Sequence, residues 1–315
     1  MTYRLAVISL ALLCPLLLLP VAESHAGSGA NSPAAPAPGS IELTQADGSS
    51  LVLEQAAKTI VTLSPHLAEL VFAAGAGDQL LATVEYSNYP AGAASLPRVG
   101  DAFRLDLEQI VNLQPDLVIA WQSGNSALAI GRLQDLGLPT WIIEIKQPGE
   151  IASILEQMGK ASGQTGTANT AADQVRQRLH EISEEGAGKS SVPYFYQVSA
   201  RPLFTLNGEH LVSQSLALCG GENVFADESV IAPQISQESV IVRNPEVMFA
   251  AVVEGQPDPL ADWQGWPNLQ AVKHGRLYLL PADEISRATP RMLDAVATAC
   301  KLLHATMQPE QTTSH

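Results

Sequence analysis

One stretch limits the choice of fold more than any other. Residues 165–185 read TGTANTAADQVRQRLHEISEE and place apolar side chains at Ala168, Ala171, Ala172, Val175, Leu179 and Ile182. That is the i, i+3, i+4 stripe of an amphipathic helix. Thr165 and Thr167 offer N-caps, and Gly186 and Gly188 stop the helix. A helix of about 20 residues is roughly 30 Å long, the width of a small domain. Segments of similar size lie on either side of it. The stretch therefore reads as a strut between two lobes, with a surface helix of a single domain as the plainer alternative.

The flanking patterns favour the strut. From Lys58, apolar runs alternate with helical ones: KTIVTLSP, a helix over 66–74, a strand over 80–84 and the loop EYSNYP. The short helix LDLEQIVNL, the strand DLVIA ending at Trp121, a helix over 125–136, the strand PTWIIEI and a helix over 150–162 follow. Strands alternating with helices imply a parallel sheet covered on both faces. After the strut come VPYFYQV, a tight turn at 204–208, and a helix over 209–218 ended by Cys219, Gly220 and Gly221. Next are a helix over 237–242, the strands EVMFAAV and RLYLLPAD, and a closing helix over 289–307. The expected class is α/β: two similar lobes with parallel-rich sheets flanked by helices, joined by one long rigid helix. The expected division is a hairpin and first lobe over 41–162, the connecting helix over 163–189 and a second lobe over 190–308, with a disordered tail at 309–315.

An internal echo supports two matched lobes. LEQIVNLQPDLVIA at 107–120 parallels QESVIVRNPEVMFAA at 237–251 without a gap, pairing Glu108 with Glu238 and Pro115 with Pro245.

The N-terminus has Arg4, an apolar run over 5–21 and Ser24-His25-Ala26. These are the parts of a secretory signal peptide, with cleavage after Ala26. A single membrane anchor competes, but Pro15 and Pro20 interrupt the run. A lipoprotein site at Cys14 is opposed by Leu13, where a small residue is needed. Residues 27–40 are mostly Gly, Ser, Ala, Pro and Asn, a flexible tether. Export leaves Cys219 and Cys300, which read as one disulfide or as two buried thiols. The net charge of −15 excludes a nucleic-acid binder, which needs a basic footprint.

Ligands of open α/β sheets bind beyond the carboxyl ends of the strands. Two facing lobes put those ends around one cleft. The candidates are 64–66, Tyr86, Tyr89, Ala102, Phe103, Trp121, 198–201, Ala232, Pro233 and 283–287. His66 is the histidine best placed to touch ligand; the other histidines are scattered and form no ligand cluster. Glu108 and Glu238 open matched helices, where dipole pairing alone explains either acid but not both. No nucleophile elbow, P-loop, dinucleotide fingerprint or H-E-x-x-H is present. An enzyme is not expected.

TIVTLSPHLAELVFAAG, VEYSNYP, LEQIVNLQPDLVIAWQSGN, LALCGGENVF and SRATPR together resemble the periplasmic substrate-binding proteins of cobalamin (vitamin B12) ABC importers, within the class III family that also binds haem and iron–siderophore. The resemblance runs from about Lys58 to the closing helix. It implies two lobes on a rigid helix with limited hinge motion, and no cofactor beyond a bound corrinoid. It implies that Glu108 and Glu238 dock arginines of a permease dimer in the inner membrane, and that Cys219 pairs with Cys300. Tyr86 and Trp121 match corrin-contacting aromatics, while Asp283 and Arg287 lie in the segment closing the far side. Three aromatics of the family are missing: a Trp stands where this chain has Ala102, with Phe103 beside it, a Phe near Val198 and a Trp near Ala232. His66 replaces a small residue and offers an axial nitrogen to a ligand-borne metal. The resulting expectation is a periplasmic, monomeric, non-enzymatic corrinoid carrier, with a haem or siderophore binder of the same fold as the alternative.

Overall fold

Strand β3 (Ile60–Thr62) has no exposed residue, and neither do the first four residues of β5 (Leu117–Trp121). Such strands need cover on both faces, and the chain provides it. The computed structural model describes residues 39–305. The expected signal peptide over 1–26, nearly all of the expected 27–40 tether, the residues expected to end the closing helix and the expected tail at 309–315 lie outside the described residues.

The chain opens with the hairpin β1 (Ile41–Thr44) and β2 (Ser50–Leu53), turning at Asp47 and Gly48. The first lobe continues with β3, α1 (Pro65–Ala73), β4 (Leu80–Ala82), α2 (Ala91–Ala94), α3 (Leu107–Leu113), β5, α4 (Ala127–Asp135), β6 (Thr140–Ile143) and α5 (Glu150–Ser162). Its sheet is parallel throughout, in the order β4-β3-β5-β6. After α6 (Thr165–Gly186), the second lobe has β7 (Val192–Gln197), the small hairpin β8 (Ser199–Ala200) and β9 (Leu203–Phe204), α7 (Leu211–Ala217) and β10 (Gly221–Asn223). It ends with α8 (Gln237–Arg243), β11 (Val247–Val252), α9 (Gln270–Lys273), β12 (Leu277–Pro281), α10 (Ala282–Ile285) and α11 (Pro290–Ala305). Its sheet is also parallel, ordered β10-β7-β11-β12. Taken in chain order within each lobe, both sheets follow the same sequence of strands: second, first, third, fourth.

The echo in sequence is an echo in structure. The helices α3 and α8 are each seven residues long, at an offset of 130 (107 to 237). The side chain of Asp106 caps α3 by accepting from Gln109 N, and Ser236 caps α8 by accepting from Ser239 N. Both helices end on a left-handed residue that is not glycine, Gln114 at φ 48° and Asn244 at φ 44°. Alternate residues of the next strand then face opposite ways. Leu117 and Ile119 join the core shared with α6, and Val118 and Ala120 join a separate core under α3 and α4. In the second lobe, Val247 and Phe249 share the central core while Met248 and Ala250 face the other side. One face of each sheet thus contributes to a single apolar core spanning both lobes and α6, which ties the lobes together.

Helix α6 has 22 residues and buries Ala168, Ala172, Val175 and Ile182, with Ala171 and Leu179 half-buried. Its start differs from expectation. The cap position is Gln164, without a side-chain cap bond, and Thr165 is already in the first turn. Gly163, at φ 75°, ends α5 and turns the chain back within one residue, which leaves no room for an extended threonine cap. Thr167 packs instead against Gly75, where an added Cβ would sit 2.8 Å from the Thr167 Cβ. The crossing of α5 and α6 is equally close: a Cβ on Gly159 would fall 2.4 Å from that of Ala168.

Other boundaries also shift. Helix α7 begins at Leu211 because His210 caps it, accepting from Val212 N at 3.1 Å. Gly221 does not end that helix but opens the edge strand β10, and residues 282 and 283 belong to α10 rather than to the strand before it. Cys219 and Cys300 form a disulfide with a Cα–Cα distance of 5.7 Å, joining the end of α7 to α11. Closing a loop of 81 residues this way contributes about 4 kcal/mol on the chain-entropy model.

Candidate functional site

A cleft of about 720 Å³ opens where the carboxyl ends of the two sheets meet. The first lobe supplies the start of α1 (64–66), the end of β5 (121–123) and the end of β6 (144–146). The second lobe supplies the start of α7 (209–212), Ile231, and residues of α10 and its exit, including Asp283, Ile285 and Arg287, with Met292 of α11.

His66 is the second residue of α1, placed there by Pro65 at the first helical position and an extended Ser64. The residue is 8% exposed. Nδ1 lies 2.8 Å from Ser64 Oγ, and the ring meets Trp121 edge-on, with centroids 5.1 Å apart at 86°. Burial pushes its pKa down to about 3, helped by the Arg287 guanidinium, so at neutral pH the imidazole carries no charge.

Trp121 is held on three sides. Its backbone N–H donates to Asn125 Oδ1 at 2.7 Å and its indole N–H to Glu144 Oε1 at 3.2 Å. Beneath the ring is Gly124, where any Cβ would come within 1.8 Å of an indole carbon. Asn125 also donates to the carbonyls of Leu63 and Ala102, tying the end of β3 and the Ala102 loop to this corner. The indole is therefore a fixed, partly exposed wall.

Arg287 stands across the cleft, 9% exposed, at the centre of a polar network between the lobes. It donates through Nη1 to Glu69 Oε1 and Asn88 Oδ1, both at 2.8 Å, and through Nη2 to the Tyr86 carbonyl at 3.0 Å and Asp283 Oδ1 at 2.8 Å. Glu69, 4% exposed on α1, also accepts from Thr289 Oγ1 at 3.2 Å and Arg291 Nη2 at 3.3 Å. Asn88 donates to Asp283 Oδ2 at 2.6 Å. Three first-lobe groups thus grip the α10–α11 segment of the second lobe.

Of the sequence candidates, the structure brings 64–66, Trp121, Asp283 and 285–287 to the cleft lining, and leaves Tyr89, Ala102, 199–201, Pro233 and Glu284 out of it. Tyr86, 77% exposed at φ 66°, reaches the site only through its carbonyl on Arg287. Phe103 is 76% exposed on the loop between α2 and α3. Val198 is half-exposed beside β8, and exposed Ala232 follows the lining residue Ile231. These four do not line the cleft. His210 does, although the histidines are scattered along the chain; burial pushes its pKa down to about 4. Its position at the start of the first helix after β7 matches that of His66 after β3, a topological match rather than a local motif. Glu69 gives no signal in sequence, because an acid inside a helix reads as a surface residue until its buried partners are known.

Glu108 and Glu238 are both exposed in the first turn of their helices. A helix that feeds a parallel strand runs against it. Both first turns therefore lie on the carboxyl-end side of their sheets, the side on which the cleft opens. Among the described residues no helix is long and apolar enough to cross a membrane, and no group of three or more His, Cys, Asp or Glu is placed to hold a metal ion.

Comparison with known proteins agrees with this architecture. The vitamin B12-binding protein of Vibrio cholerae serotype O1 is 39% identical over 251 residues, 78% of this chain and 89% of that protein. The crystal structure of the periplasmic vitamin B12 binding protein of Vibrio cholerae superposes with a TM-score of 0.74 at 38% identity, covering 80% of this chain and 99% of that one. A periplasmic heme-binding protein from Roseiflexus sp. RS-1 shares the fold alone, with a TM-score of 0.70 at 20% identity over 80% of this chain and all of that one. Residues 60–284 match the family described as periplasmic binding protein, and the chain belongs to that family.

Proposed function

We propose that this chain is an exported carrier that captures a corrinoid, cobalamin or a related cobamide or cobinamide, between its lobes and hands it to an ABC import permease. The observation that carries the reading is the cleft itself: a flat indole wall, fixed on three sides, faces apolar side chains of the opposite lobe, among them Leu211, Ile231 and Met292. A planar macrocycle suits such a slot, since its faces seek apolar contact while polar groups at the rim meet its amide fringe. The similarity to vitamin B12-binding proteins over most of the chain supports the same cargo. No chemical step is assigned; the task is binding and release.

The rest of the reading follows from this task. Cleavage after Ala26 releases the carrier into the periplasm, with the first lobe over 41–162, the connecting helix over 163–189 and the second lobe over 190–308. The carrier acts as a monomer. Glu108 and Glu238, matched across the lobes, meet arginines of a two-fold permease. In this reading Tyr86, Phe103, Val198 and Ala232, outside the cleft lining, meet the periphery of the cargo. Titration with cobalamin and cobinamide by calorimetry is expected to give one saturable site; no uptake of either would overturn the reading. One observation favours haem as a second reading, the neutral imidazole of His66 in the cleft. A Soret shift on adding haem, lost in His66→Ala, would establish it.

A further inference from the structure

We propose that His66 binds the cargo's cobalt directly, its Nε2 replacing an axial water on corrinoids whose axial position is exchangeable. This rests on the corrinoid reading above and adds to it a bond and a selectivity.

Three features of the ring point this way. First, His66 lines the cleft although little of it is exposed. Among the described residues Nε2 has no hydrogen-bond partner, yet it is not among the sealed, unsatisfied atoms of the interior. Cleft contents can therefore reach it. Second, Nδ1 is engaged by Ser64 Oγ, itself on a residue only 1% exposed. A metal-binding imidazole characteristically donates its other N–H to an oxygen, and the Ser64 hydroxyl can accept here; in that tautomer the lone pair lies on Nε2. Third, Trp121 holds the ring edge-on, and Trp121 is itself braced by Asn125, Glu144 and Gly124. A donor held in this way needs little ordering when cargo arrives.

The other histidine of the cleft is built for the opposite role. His210 Nδ1 accepts from Val212 N, so its neutral ring carries the proton on Nε2 and can only donate there. Among the described residues, no backbone N–H is aimed at the Nδ1 of His66 to hold its proton on Nε2. Of the two rings, His66 alone can turn a lone pair on Nε2 toward a metal. The step is a ligand substitution: a Co–N bond forms, a Co–OH2 bond breaks, water leaves, and the oxidation state of cobalt does not change.

The test uses cob(II)inamide, whose single unpaired electron reports the axial donor. With the mature protein, the high-field cobalt lines of its electron paramagnetic resonance spectrum are expected to split into triplets from one nitrogen, and His66→Ala is expected to remove the splitting. Aquocobalamin should bind at least tenfold more tightly than cyanocobalamin, whose axial site is blocked, and the ratio should collapse toward one in His66→Ala. Circular dichroism and a thermal melt check that the variant is folded. Ser64→Ala should keep the triplets and weaken the preference by about tenfold or more, the usual cost of losing a partner behind a metal ligand. Unsplit lines from bound cob(II)inamide would overturn the inference and leave the carrier reading intact. Failure to bind any corrinoid would overturn both.

Discussion

At the end of β5 the first lobe places Trp121; 130 residues later, at the matching point of β11, the second lobe places Ala251. Seven residues before Trp121 and before Ala251, the two lobes agree, with Gln114 and Asn244 both left-handed at the helix stop. The agreement and the disagreement divide by role. Residues that cap helices, turn the chain or fill the two sheet faces correspond across the lobes. Residues that look into the cleft correspond less: each lobe offers an imidazole at a helix start, His66 and His210, but the first adds an indole and the second adds aliphatic side chains and the Arg287 segment. The frame answers to backbone hydrogen bonding and packing, which are the same problem in both halves. The cleft walls answer to a cargo with two different faces.

The comparison can be broken where the lobes should act alike. Reversing both acids, Glu108→Arg with Glu238→Arg, is expected to lower permease association by a thousandfold or more, since truncating one member of a desolvated interface pair already costs about 2–5 kcal/mol. Each single reversal should cost a similar, smaller amount, and cargo affinity should hold. A fall in cargo affinity would move the acids into the site; very unequal single effects would break the symmetry.

The latch between the lobes comes next. Glu69→Ala leaves Arg287 without its buried carboxylate and Arg291 without its nearest one, and is expected to cost about 3–5 kcal/mol in urea unfolding. A loss under 1 kcal/mol would show that the apolar core shared with α6 alone aligns the lobes.

His66 and His210, at matched helix starts, both have pKa values below the ordinary 6.5, through burial in each case with Arg287 adding to the effect at His66. The folded chain therefore binds fewer protons than the unfolded chain at mildly acid pH. Their contribution is fully present above about pH 6.5 and is lost as pH falls toward 4. The loss is a few kcal/mol in total, since each tenfold change in proton affinity is worth about 1.4 kcal/mol. The urea midpoint measured from pH 7.5 to 4.5 should fall accordingly, and His66→Gln with His210→Gln should flatten the slope. An unchanged slope in the double variant would assign the acid sensitivity to other groups.

The smallest effect sharpens the match most. Asp106→Ala and Ser236→Ala should each cost about 1 kcal/mol, the usual value of an N-cap side chain. Losses differing by more than about 1 kcal/mol would mean that the two helix starts are alike in geometry but not in energetics.

Much of this is written locally. The alternation of buried runs with amphipathic ones specifies the parallel sheets, the apolar stripe from Ala168 to Ile182 specifies α6, and the repeat at 107 and 237 specifies the correspondence of lobes. The start of α6 is not legible in the same way, because it is set by the stop of α5 at Gly163 and by the packing of Thr167 on Gly75, not by a capping side chain of its own. Strand β10 is equally hidden, because GEN has no β-branched or aromatic residue to mark it; its pairing with β7 makes it a strand. His66 and Trp121 are visible as residues following strands, but nothing local links them to each other.

The sequence by itself determined what short-range physics determines: which of the strongly periodic segments become helix or strand, which faces turn inward, and that the plan is used twice. The tertiary structure decided which side chains meet. Glu69 and Arg287 are 218 residues apart, and Ser64, His66, Trp121 and His210 come from three different helix and strand ends. Periodicity reports only the neighbours a residue has along its own element. A buried charge's partner, an imidazole's tautomer and the width of a cleft depend on how separate elements pack, and that is settled only when the two lobes close on their common core.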